Sequence, residues 1–491
     1  MNRMKLPHTC KLIIFLLSVL LLASCGGGGS SGGGNGNVGD NKTASGYVYV
    51  ADYGVLGLSG QSDISAFSIN QNGELTYIPC VSGNGLVCAT NFHGDSNFDS
   101  GDYPYKLDID PAGQFLFVSS GQANYGVGVF AIDGTSGALS QIACQAGGAI
   151  TCGTHNDFLT SAGTTKSVGF DAAGKYAYFI NDGTSGAGDL TVFSLATGGA
   201  LSLVACDAAT GASCNGSNYV LGTYPDSAAV DPTGTYLYVT NSQGSPSGVA
   251  SRSDIQAFSI SDTGALTPIV CTSSTDVVCN GNNFLTGDSA RKLLIDAAGK
   301  YVYVANDAGD ISVYSIANDG SLVSVPCVSG NGVVCDTVTA NTSTISVYTM
   351  GMSAAYLALD PSGKYLYAVD MINDGLAAFA TSSTGTLTPI PCVSGNGVSC
   401  VTVTVNGNDL SLYAVGISPR SVVIDKTGQY LYVANKGTTD TSSAIGDVSA
   451  FAINASGTLT PVTCSSTASG VCNNNGNVAT GYSPYAMAIT P

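Results

Sequence analysis

The sparse basic residues of this chain are unevenly placed. Its 491 residues contain 15 Lys and Arg against 33 Asp and Glu, which gives a formal net charge of −18. Three basic residues fall within the first eleven positions, and five of the other 12 stand at the starts of short predicted strands. These five are Lys106, Lys166, Arg291, Lys292 and Arg420.

Cations gathered in an otherwise acidic protein attract small anions such as carboxylates or sugar phosphates. The five residues are therefore candidates for anion binding. The alternative is that they pair with neighbouring acids such as Asp226 and are merely solvated. The acidic balance argues against a nucleic-acid partner.

A repeated pattern sets the position of these residues. Its most complete copy is Val422–Asn435, which predicts a strand, a tight turn and a second strand. Copies recur at steps of 60 to 68 residues, a period typical of a repeat architecture. The second strands of the copies begin at Tyr47, Phe115, Tyr176, Tyr236, Tyr301, Tyr365 and Tyr430.

Each repeat predicts four antiparallel strands. The first ends in Asp-Pro-x-Gly or a close variant, as at Asp231–Gly234, which favours a type I turn. The second alternates aromatic and aliphatic residues, the third resembles Asp254–Ile260, and the fourth carries a Pro that places it on the outer edge. The first repeat lacks its first strand, and the chain ends with Pro484–Ile489, which matches a first strand alone. The sequence therefore predicts an all-β, seven-bladed β-propeller over residues 47–491, with four-stranded blades and closure by the C-terminal strand.

The register exposes one position that varies from blade to blade. Counting five residues back from each turn Asp, or from Thr490, gives a ring at the start of the first strands, beside the central channel. Lys106 and Lys292 stand next to it. The ring consists of Tyr105, Lys166, Asp226, Arg291, Ala355, Arg420 and Tyr485. All of these except Ala355 are predicted to contribute to ligand binding.

Catalysis at this ring would need a base to activate water and a cation to stabilise an oxyanion. Asp226 is the carboxylate of the ring, and Arg291 and Arg420 could act as clamps. His155 and His93 lie in connections between fourth and first strands, and His155 is a second catalytic candidate. Each of these histidines is also compatible with a solvated loop position.

The runs that end at Asn241 and Asn435, Tyr-Leu-Tyr-Val-Thr-Asn and Tyr-Leu-Tyr-Val-Ala-Asn, are preceded by Asp-x-x-Gly turns. With the following Gly-x-Leu-Thr-Pro they resemble the YVTN-type repeats of seven-bladed lactonase-like propellers. That family includes 6-phosphogluconolactonase-like proteins and carboxymuconate-cyclising enzymes. The resemblance covers residues 47–491 and implies the fold. Because the matching motifs are framework motifs, it implies lactone hydrolysis only as an alternative function.

Fourteen of the 16 cysteines form seven pairs of one spacing, C-x7-C, with one pair per repeat. In an exported chain this predicts seven local disulfides, whereas zinc would require additional ligands. The pairs are Cys80 with Cys88, Cys144 with Cys152, Cys206 with Cys214, Cys271 with Cys279, Cys327 with Cys335, Cys392 with Cys400, and Cys464 with Cys472.

The N-terminus predicts export and lipidation. Basic residues precede an apolar run that is too short to span a bilayer, and residues 1–24 are predicted to be a signal peptide. Leu-Ala-Ser-Cys25 resembles a bacterial lipobox in which Cys25 is lipidated, and the following Gly26 favours the outer membrane. Residues 25–46, rich in Gly, Ser and Asn, predict a flexible tether.

A calcium site is a weaker hypothesis. Asp95, Asn97 and Asp99 present alternating oxygens, but the segment departs from the EF-hand pattern at its Gly and Glu positions. An ordinary acidic loop is the alternative, and no other cofactor is predicted. The preferred functional hypothesis is a cell-envelope module that binds an anionic small ligand or an envelope protein, with a lactonase or a ligand-free scaffold as alternatives.

Overall fold

Seven antiparallel sheets form the blades of a β-propeller. The computed structural model describes residues 44–54, 62–82, 88–90, 96–100, 103–121, 126–146, 151–153, 157–159, 163–183, 187–243, 252–274, 276–330, 332–340, 343–351, 353–437, 445–464, 472–473 and 476–491. The predicted fold class and blade number are confirmed. The single helical element described is the short 3-10 turn Ala208–Thr210, so no helix in these ranges has the length and apolar character needed to cross a membrane.

The turn between first and second strands forms as its residue types predict. In the fourth blade, Oδ1 of Asp231 accepts hydrogen bonds from the backbone N–H groups of Thr235 and Tyr236, at 2.7 and 2.6 Å. The N–H of Gly234 donates to the Asp231 carbonyl at 2.8 Å, with a φ of 72°. This network fixes the start of the second strand, and therefore the register of the whole blade.

The four strands of each blade follow the predicted order outward from the channel. The first strands are Pro104–Ile109, Gly163–Phe170, Pro225–Val230, Ala290–Ile295, Ala354–Leu359, Pro419–Ile424 and Pro484–Ile489. The second strands are Gly46–Asp52, Phe115–Ser120, Tyr176–Gly183, Tyr236–Asn241, Tyr301–Asn306, Tyr365–Asp370 and Tyr430–Asn435. The third strands are Asp63–Ile69, Val127–Ile132, Ala187–Leu195, Asp254–Ile260, Asp310–Ile316, Gly375–Thr381 and Ile445–Ile453. The fourth strands are Leu75–Ile78, Leu139–Gln141, Leu201–Val204, Leu266–Ile269, Leu322–Ser324, Leu387–Ile390 and Leu459–Val462.

The outer part of each blade has more strands than predicted. In blade 4 the fourth strand pairs only with the second half of the third strand, from Ala257 to Ile260, while Asp254 and Ile255 pair with a further strand, Asn283–Leu285. The first six blades share this arrangement and have six strands each. The added hairpins are Cys88–Thr90 with Ser96–Asp99, Thr151–Cys152 with Phe158–Leu159, Cys214–Asn215 with Asn218–Thr223, Cys279–Asn280 with Asn283–Leu285, Cys335–Ala340 with Ser343–Thr349, and Cys400–Val405 with Asn408–Ala414. In the described part of blade 7 the added strand is Val478–Tyr482, and Cys472 forms a β-bridge with its first residue.

The C-terminal strand closes the ring, as predicted. Pro484–Ile489 pairs antiparallel with the second strand Gly46–Asp52 and becomes the first strand of blade 1. The backbone N–H of Tyr47 also donates to the Thr490 hydroxyl at 2.9 Å. Each first strand contacts the first strand of the next blade, so the seven strands enclose the channel without an open edge.

Tyrosines of the second strands connect neighbouring blades. The Tyr432 hydroxyl of blade 7 donates to the Gly73 carbonyl of blade 1 at 2.9 Å, and Tyr238 of blade 4 donates in the same way to Gly320 of blade 5. Gly73 has a φ of 77°, and a Cβ there would lie 2.1 Å from the Tyr430 ring. Glycine is therefore required at this contact for both its backbone conformation and its lack of a side chain.

A polar clasp joins the end of the second strand to the start of the third. In blades 4, 5 and 7 an Asn at the end of the second strand donates through Nδ2 to an Asp at the start of the third, at 2.6 to 2.8 Å. Blade 1 has Asp52 in the Asn position, directly opposite Asp63. Burial raises the pKa of Asp52 to about 6, and burial together with Asp52 raises the pKa of Asp63. Blade 1 is therefore held by two facing carboxyl groups, whereas blades 4, 5 and 7 pair an amide with one carboxyl group.

The seven predicted disulfides are confirmed. Each joins cysteines eight residues apart, with Cα–Cα distances of 5.7 to 5.9 Å. In the first six blades the bond connects the segment after the fourth strand to the outer hairpin. In the chain-entropy account each small loop stabilises the fold by roughly 2.5 kcal/mol.

The disulfide of blade 7 has a second anchor equivalent to that of the other blades. Cys464 is bonded to Cys472 with a Cα–Cα distance of 5.7 Å, so the predicted pair is present. Cys472 lies outside any strand and forms an isolated β-bridge with Val478, the first residue of the added strand of that blade. The bond therefore ties the outer edge of blade 7 to the added strand, as the pairing of Cys214 with Tyr219 does in blade 3 and that of Cys279 with Phe284 in blade 4.

Candidate functional site

The ring predicted from the repeat register coincides with a structural irregularity in every blade. Where each first strand pairs with its second strand, the register shifts across the ring position. In blade 7, for example, Pro419 pairs with Asn435 and Ser421 pairs with Ala434, so that Arg420 is the extra residue of a β-bulge. Bulges redirect side chains out of the regular alternation of a strand. The ring residues are thus the side chains that the fold sets apart at the channel mouth.

A strained residue precedes the bulge in six of the seven blades. These residues are not glycine, yet they have φ between 52° and 88°. Such a conformation costs about 1 kcal/mol or more for an L residue, and it persists only where the surrounding structure requires it. They are Tyr103, Tyr224, Ser289, Ser353, Ser418 and Ser483.

Two cations of the ring are neutralised by acids. In blade 5, Nη2 of Arg291 lies 3.1 Å from Oδ2 of Asp307, and Nη1 lies 3.9 Å from Oδ1 of Asp226 in blade 4. Burial would lower the pKa of Arg291, but these carboxylates outweigh it and raise that pKa. In blade 3, Nζ of Lys166 lies 3.6 Å from Oδ2 of Asp182. Each of these aspartates stands sixteen residues after its ring cation, Asp182 after Lys166 and Asp307 after Arg291. Each also directly follows the Asn at the equivalent position of the second strand.

The cation of blade 7 has no such partner. The residue sixteen positions after Arg420 is Lys436, and among the described residues neither side chain has a carboxylate oxygen within 4 Å. Burial and the like charge of Arg420 lower the pKa of Lys436. Nη1 of Arg420 lies 3.3 Å from the Met371 sulfur, and its buried Nε has no hydrogen-bond partner in the described part of the chain. This pair is therefore a region of uncompensated positive charge at the mouth.

Tyrosine rings border this charge. The Tyr485 and Tyr105 rings lie 4.8 Å apart between centroids, and the Arg420 guanidinium lies 5.5 Å from the Tyr485 ring. Nζ of Lys166 lies 4.7 Å from the Tyr105 ring. These contacts join residues of blades 1, 2, 3 and 7, so the ring residues form one surface.

The channel continues below the mouth as a cavity of about 260 Å³. First strands of all seven blades line it. Lys106, Asp108, Lys292 and Tyr356 supply its ionisable groups, and the hydroxyl-bearing side chains of three serines also line it. The predicted neighbours of the ring, Lys106 and Lys292, thus belong to a deeper chamber.

The structure brings the predicted ligand-binding residues together. Tyr105, Lys166, Asp226, Arg291, Arg420 and Tyr485 lie at the mouth. Asp226, the catalytic candidate, is only 5% exposed and lies beside Arg291. The other catalytic candidate, His155, and also His93, lie outside the described residues, as does the lipidation site Cys25.

Two of the three predicted calcium ligands are described. Asn97 is buried in the strand Ser96–Asp99, where its amide donates to Asp63 and accepts from the Tyr77 hydroxyl at 2.6 Å. Asp99 stands opposite Asp63 in the strand register, and Asp95 lies outside the described ranges. Within those ranges no three His, Cys, Asp or Glu side chains are grouped as a metal site. The calcium hypothesis stays a prediction.

Five site residues were missed from the sequence. Asp182, Asp307 and Lys436 are signalled by their constant spacing from the ring, which a comparison of blades at that offset would have found. Asp108 is signalled by its charge, because its counterparts two residues before the turn are Gly or aliphatic residues in the other six blades, whereas Tyr356 carries no comparable signal.

Comparison with known proteins agrees with the fold. The family described as Lactonase, 7-bladed beta-propeller, matches residues 190–333. The chain is similar to a candidate 6-phosphogluconolactonase from Bacteroides fragilis, with 18% identity, a TM-score of 0.56, and coverage of 91% of this chain and 98% of that chain. A corresponding protein from Bacteroides uniformis gives 17% identity, a TM-score of 0.56, and coverage of 90% and 99%.

The periplasmic gluconolactonase of Pseudomonas aeruginosa is also similar, with 16% identity, a TM-score of 0.54, and coverage of 91% and 99%. No curated protein matches the sequence. The resemblance to lactonase-like seven-bladed propellers is therefore confirmed. At these identities the solved structures show the fold alone.

Proposed function

We propose that the channel mouth binds a small anionic ligand, whose carboxylate or phosphate group lies between Arg420 and Lys436. The observation that carries this proposal is the contrast among the ring cations: Arg291 and Lys166 have acidic partners, whereas Arg420 faces a second cation. Holding two uncompensated cations together is unfavourable for the free protein. A bound anion removes that penalty and gains charge-assisted hydrogen bonds.

The surroundings favour an anion attached to a small polar ring or chain. Tyr485 and Tyr105 offer ring faces beside the guanidinium, and the mouth opens into the channel cavity. The ligand class that fits is a small organic acid, including sugar acids and their phosphates.

Isothermal titration of the full chain with gluconate and 6-phosphogluconate tests the proposal. Loss of a charge-assisted hydrogen bond costs about 1.5 to 3 kcal/mol, so Arg420→Met should weaken binding roughly 10- to 100-fold. Arg291→Met is the matched control, because it removes the same side chain from a neutralised position and should change affinity less than about threefold. Equal effects of the two substitutions, or no binding by the wild-type protein, would contradict the proposal.

Lactone hydrolysis is the second candidate function. It is favoured by Asp226, a buried carboxylate 3.9 Å from a guanidinium, where a base and an oxyanion-stabilising cation would be needed. Hydrolysis of glucono-δ-lactone above the spontaneous rate, lost in Asp226→Asn while gluconate binding persists, would establish it. If hydrolysis matches the spontaneous rate, the chain is a binding module.

The leader sequence supports a location at the cell envelope. Lipidation of Cys25 anchors the propeller through residues 25–46 at the outer membrane. There the propeller binds its ligand or an envelope protein. Membrane fractionation with mass analysis of the N-terminal peptide tests this. The wild-type chain should carry acyl groups and sediment with membranes, whereas Cys25→Ala should do neither; an unmodified Cys25 would contradict the assignment.

A further inference from the structure

The chamber below the mouth contains an amine that forms no direct ion pair with any described carboxylate. Lys292 begins the channel-lining part of blade 5, and its side chain lines the 260 Å³ cavity. Among the described residues it has no carboxylate oxygen within 4 Å. The other cation of the chamber, Lys106, differs because its Nζ lies 4.5 Å from the centre of the Tyr356 ring.

The groups that face Lys292 come from several blades. Lys106 and Asp108 project from blade 2 and Asp226 from blade 4. The backbone N–H of Val168 in blade 3 donates to Oδ2 of Asp108 at 2.8 Å, which fixes that carboxyl group. The rest of the cavity lining consists of aliphatic side chains, Met487, Tyr356 and three serines, and burial disfavours the charged form of the amine.

These surroundings shift the pKa values of the two lysines in opposite directions. Burial lowers the pKa of Lys292, and the Lys106 charge lowers it further against the opposing effect of Asp108 and Asp226. For Lys106 the effect of burial is outweighed by Tyr356, Asp226 and Asp108, and its pKa is raised. Burial raises the pKa of Asp108, against the effect of Lys292 and the Val168 N–H. Lys106 thus remains an ammonium, while Lys292 more readily becomes a free amine.

We propose that Lys292 is a nucleophilic amine that forms an imine with small 2-oxo acids entering the channel. A lysine that forms no direct ion pair and lies near another cation in a confined chamber is the arrangement that activates amines toward carbonyl groups. The carboxylate of the 2-oxo acid is matched by Lys106. This inference goes beyond the anion site of blade 7 and does not depend on it.

The chemistry balances with the groups present. The Nζ lone pair of Lys292 attacks the ketone carbon, and the proton lost from nitrogen is taken up by the carbonyl oxygen to give a carbinolamine. Asp108, in its protonated form, donates to the hydroxyl group, which leaves as water while the carbon–nitrogen double bond forms, and the nitrogen keeps its second hydrogen, so that the products are a protonated imine and the Asp108 carboxylate. Hydrolysis of the imine by the reverse steps restores the amine, and no oxidant or reductant is required.

Reductive trapping tests the proposal. The full chain is incubated with pyruvate and sodium cyanoborohydride, and modified lysines are located by peptide mass mapping. We expect Lys292 to be labelled at least tenfold faster than the exposed Lys175, Lys300 and Lys364, which serve as internal controls. Lys292→Met and Lys292→Arg should both abolish the fast adduct, and the arginine variant keeps the charge in case methionine disturbs folding.

Further variants separate reactivity from access. Lys106→Met should slow labelling by pyruvate several-fold and have less effect on labelling by acetone, which lacks a carboxylate. Lys300→Met, outside the channel, should change nothing. Uniform labelling of surface lysines, or an unchanged adduct in Lys292→Met, would overturn the proposal. The Arg420 binding experiment is unaffected by either result.

Discussion

Blades 3 and 5 differ from blade 7 in one detail that decides the electrostatics of the mouth. All three place a cation in the bulge at the start of the first strand. In blades 3 and 5 an aspartate sixteen residues later neutralises it, whereas blade 7 places Lys436 there. Since the backbone framework is the same, the difference must come from side-chain identity. It shows that equivalent positions in a repeat protein can be structural in one blade and available for ligand in another.

The substitution with the largest expected effect makes blade 7 resemble blade 5. Lys436→Asp should supply Arg420 with an internal carboxylate, remove one ligand contact and repel the anion. The combined loss of binding free energy should exceed that from removing one charged hydrogen bond. We therefore expect the affinity for gluconate to fall by about 100-fold or more. Isothermal titration measures the change. Lys436→Arg keeps the charge and should bind within about threefold of wild type; equal loss in both variants would show that Lys436 acts by shape and not by charge.

Blade 1 departs from the repeat at a different place and should affect stability instead of binding. Its Asp52–Asp63 pair has folded pKa values above those of free carboxyl groups, so the folded state holds a proton that the unfolded chain releases. The proton held by this pair stabilises the folded state fully below roughly pH 4, which is near the pKa of an unfolded Asp. That stabilisation is lost as the pH rises through the folded pKa of Asp52, about 6. Asp52→Asn should recreate the clasp of blades 4, 5 and 7 and raise stability at pH 7.5 by about 2 kcal/mol.

Thermal unfolding at several pH values between 4 and 7.5 measures this effect. The wild type and Asp52→Asn should be close at pH 4 and diverge as the pH increases. Asn435→Asp is the reciprocal control, because it places an acid opposite Asp447 in blade 7 and should destabilise mainly above pH 6. A pH-independent difference between wild type and Asp52→Asn would reject the shared proton.

The smallest expected effect comes from removing a neutralising acid. Asp307→Asn should free the Arg291 guanidinium from its 3.1 Å partner and leave only Asp226 nearby. We expect gluconate to bind about threefold more tightly, since one added exposed cation contributes only a few tenths to 1 kcal/mol. Asp409→Asn, in the outer hairpin of blade 6, makes the same change in net charge away from the mouth and should have no effect. Weaker binding by Asp307→Asn would mean that Asp307 positions the ligand site.

The fold could be predicted because short residue patterns within each repeat specify its turns and strands. Asp231 and Gly234 specify a turn, and the regular cysteine spacing specifies seven bridges. The outer hairpins were missed because several contain strands of two or three residues, such as Phe158–Leu159, too short to show alternation. The six-residue strand Cys400–Val405 does alternate Val and Thr and was a usable signal.

The candidate site could be predicted only in outline. The register identified Arg420 and its ring, because a position that varies within a constant framework stands out. It could not show that Arg291 is neutralised and Arg420 is not, since this depends on which acid folds against which cation. Asp108 and Lys292 meet in the channel from blades 2 and 5, and no local pattern in the sequence joins them.

The most direct test of the central claim is anomalous diffraction from crystals of the full chain soaked with 4-bromobenzoate, whose bromine locates a bound carboxylate. We expect one bromine peak at the mouth, with the carboxylate within hydrogen-bonding distance of Arg420 and Lys436 and the ring near Tyr485. The peak should vanish in Lys436→Asp crystals. A carboxylate bound instead at Arg291 or Lys166, or an empty mouth beside an occupied site elsewhere, would contradict it.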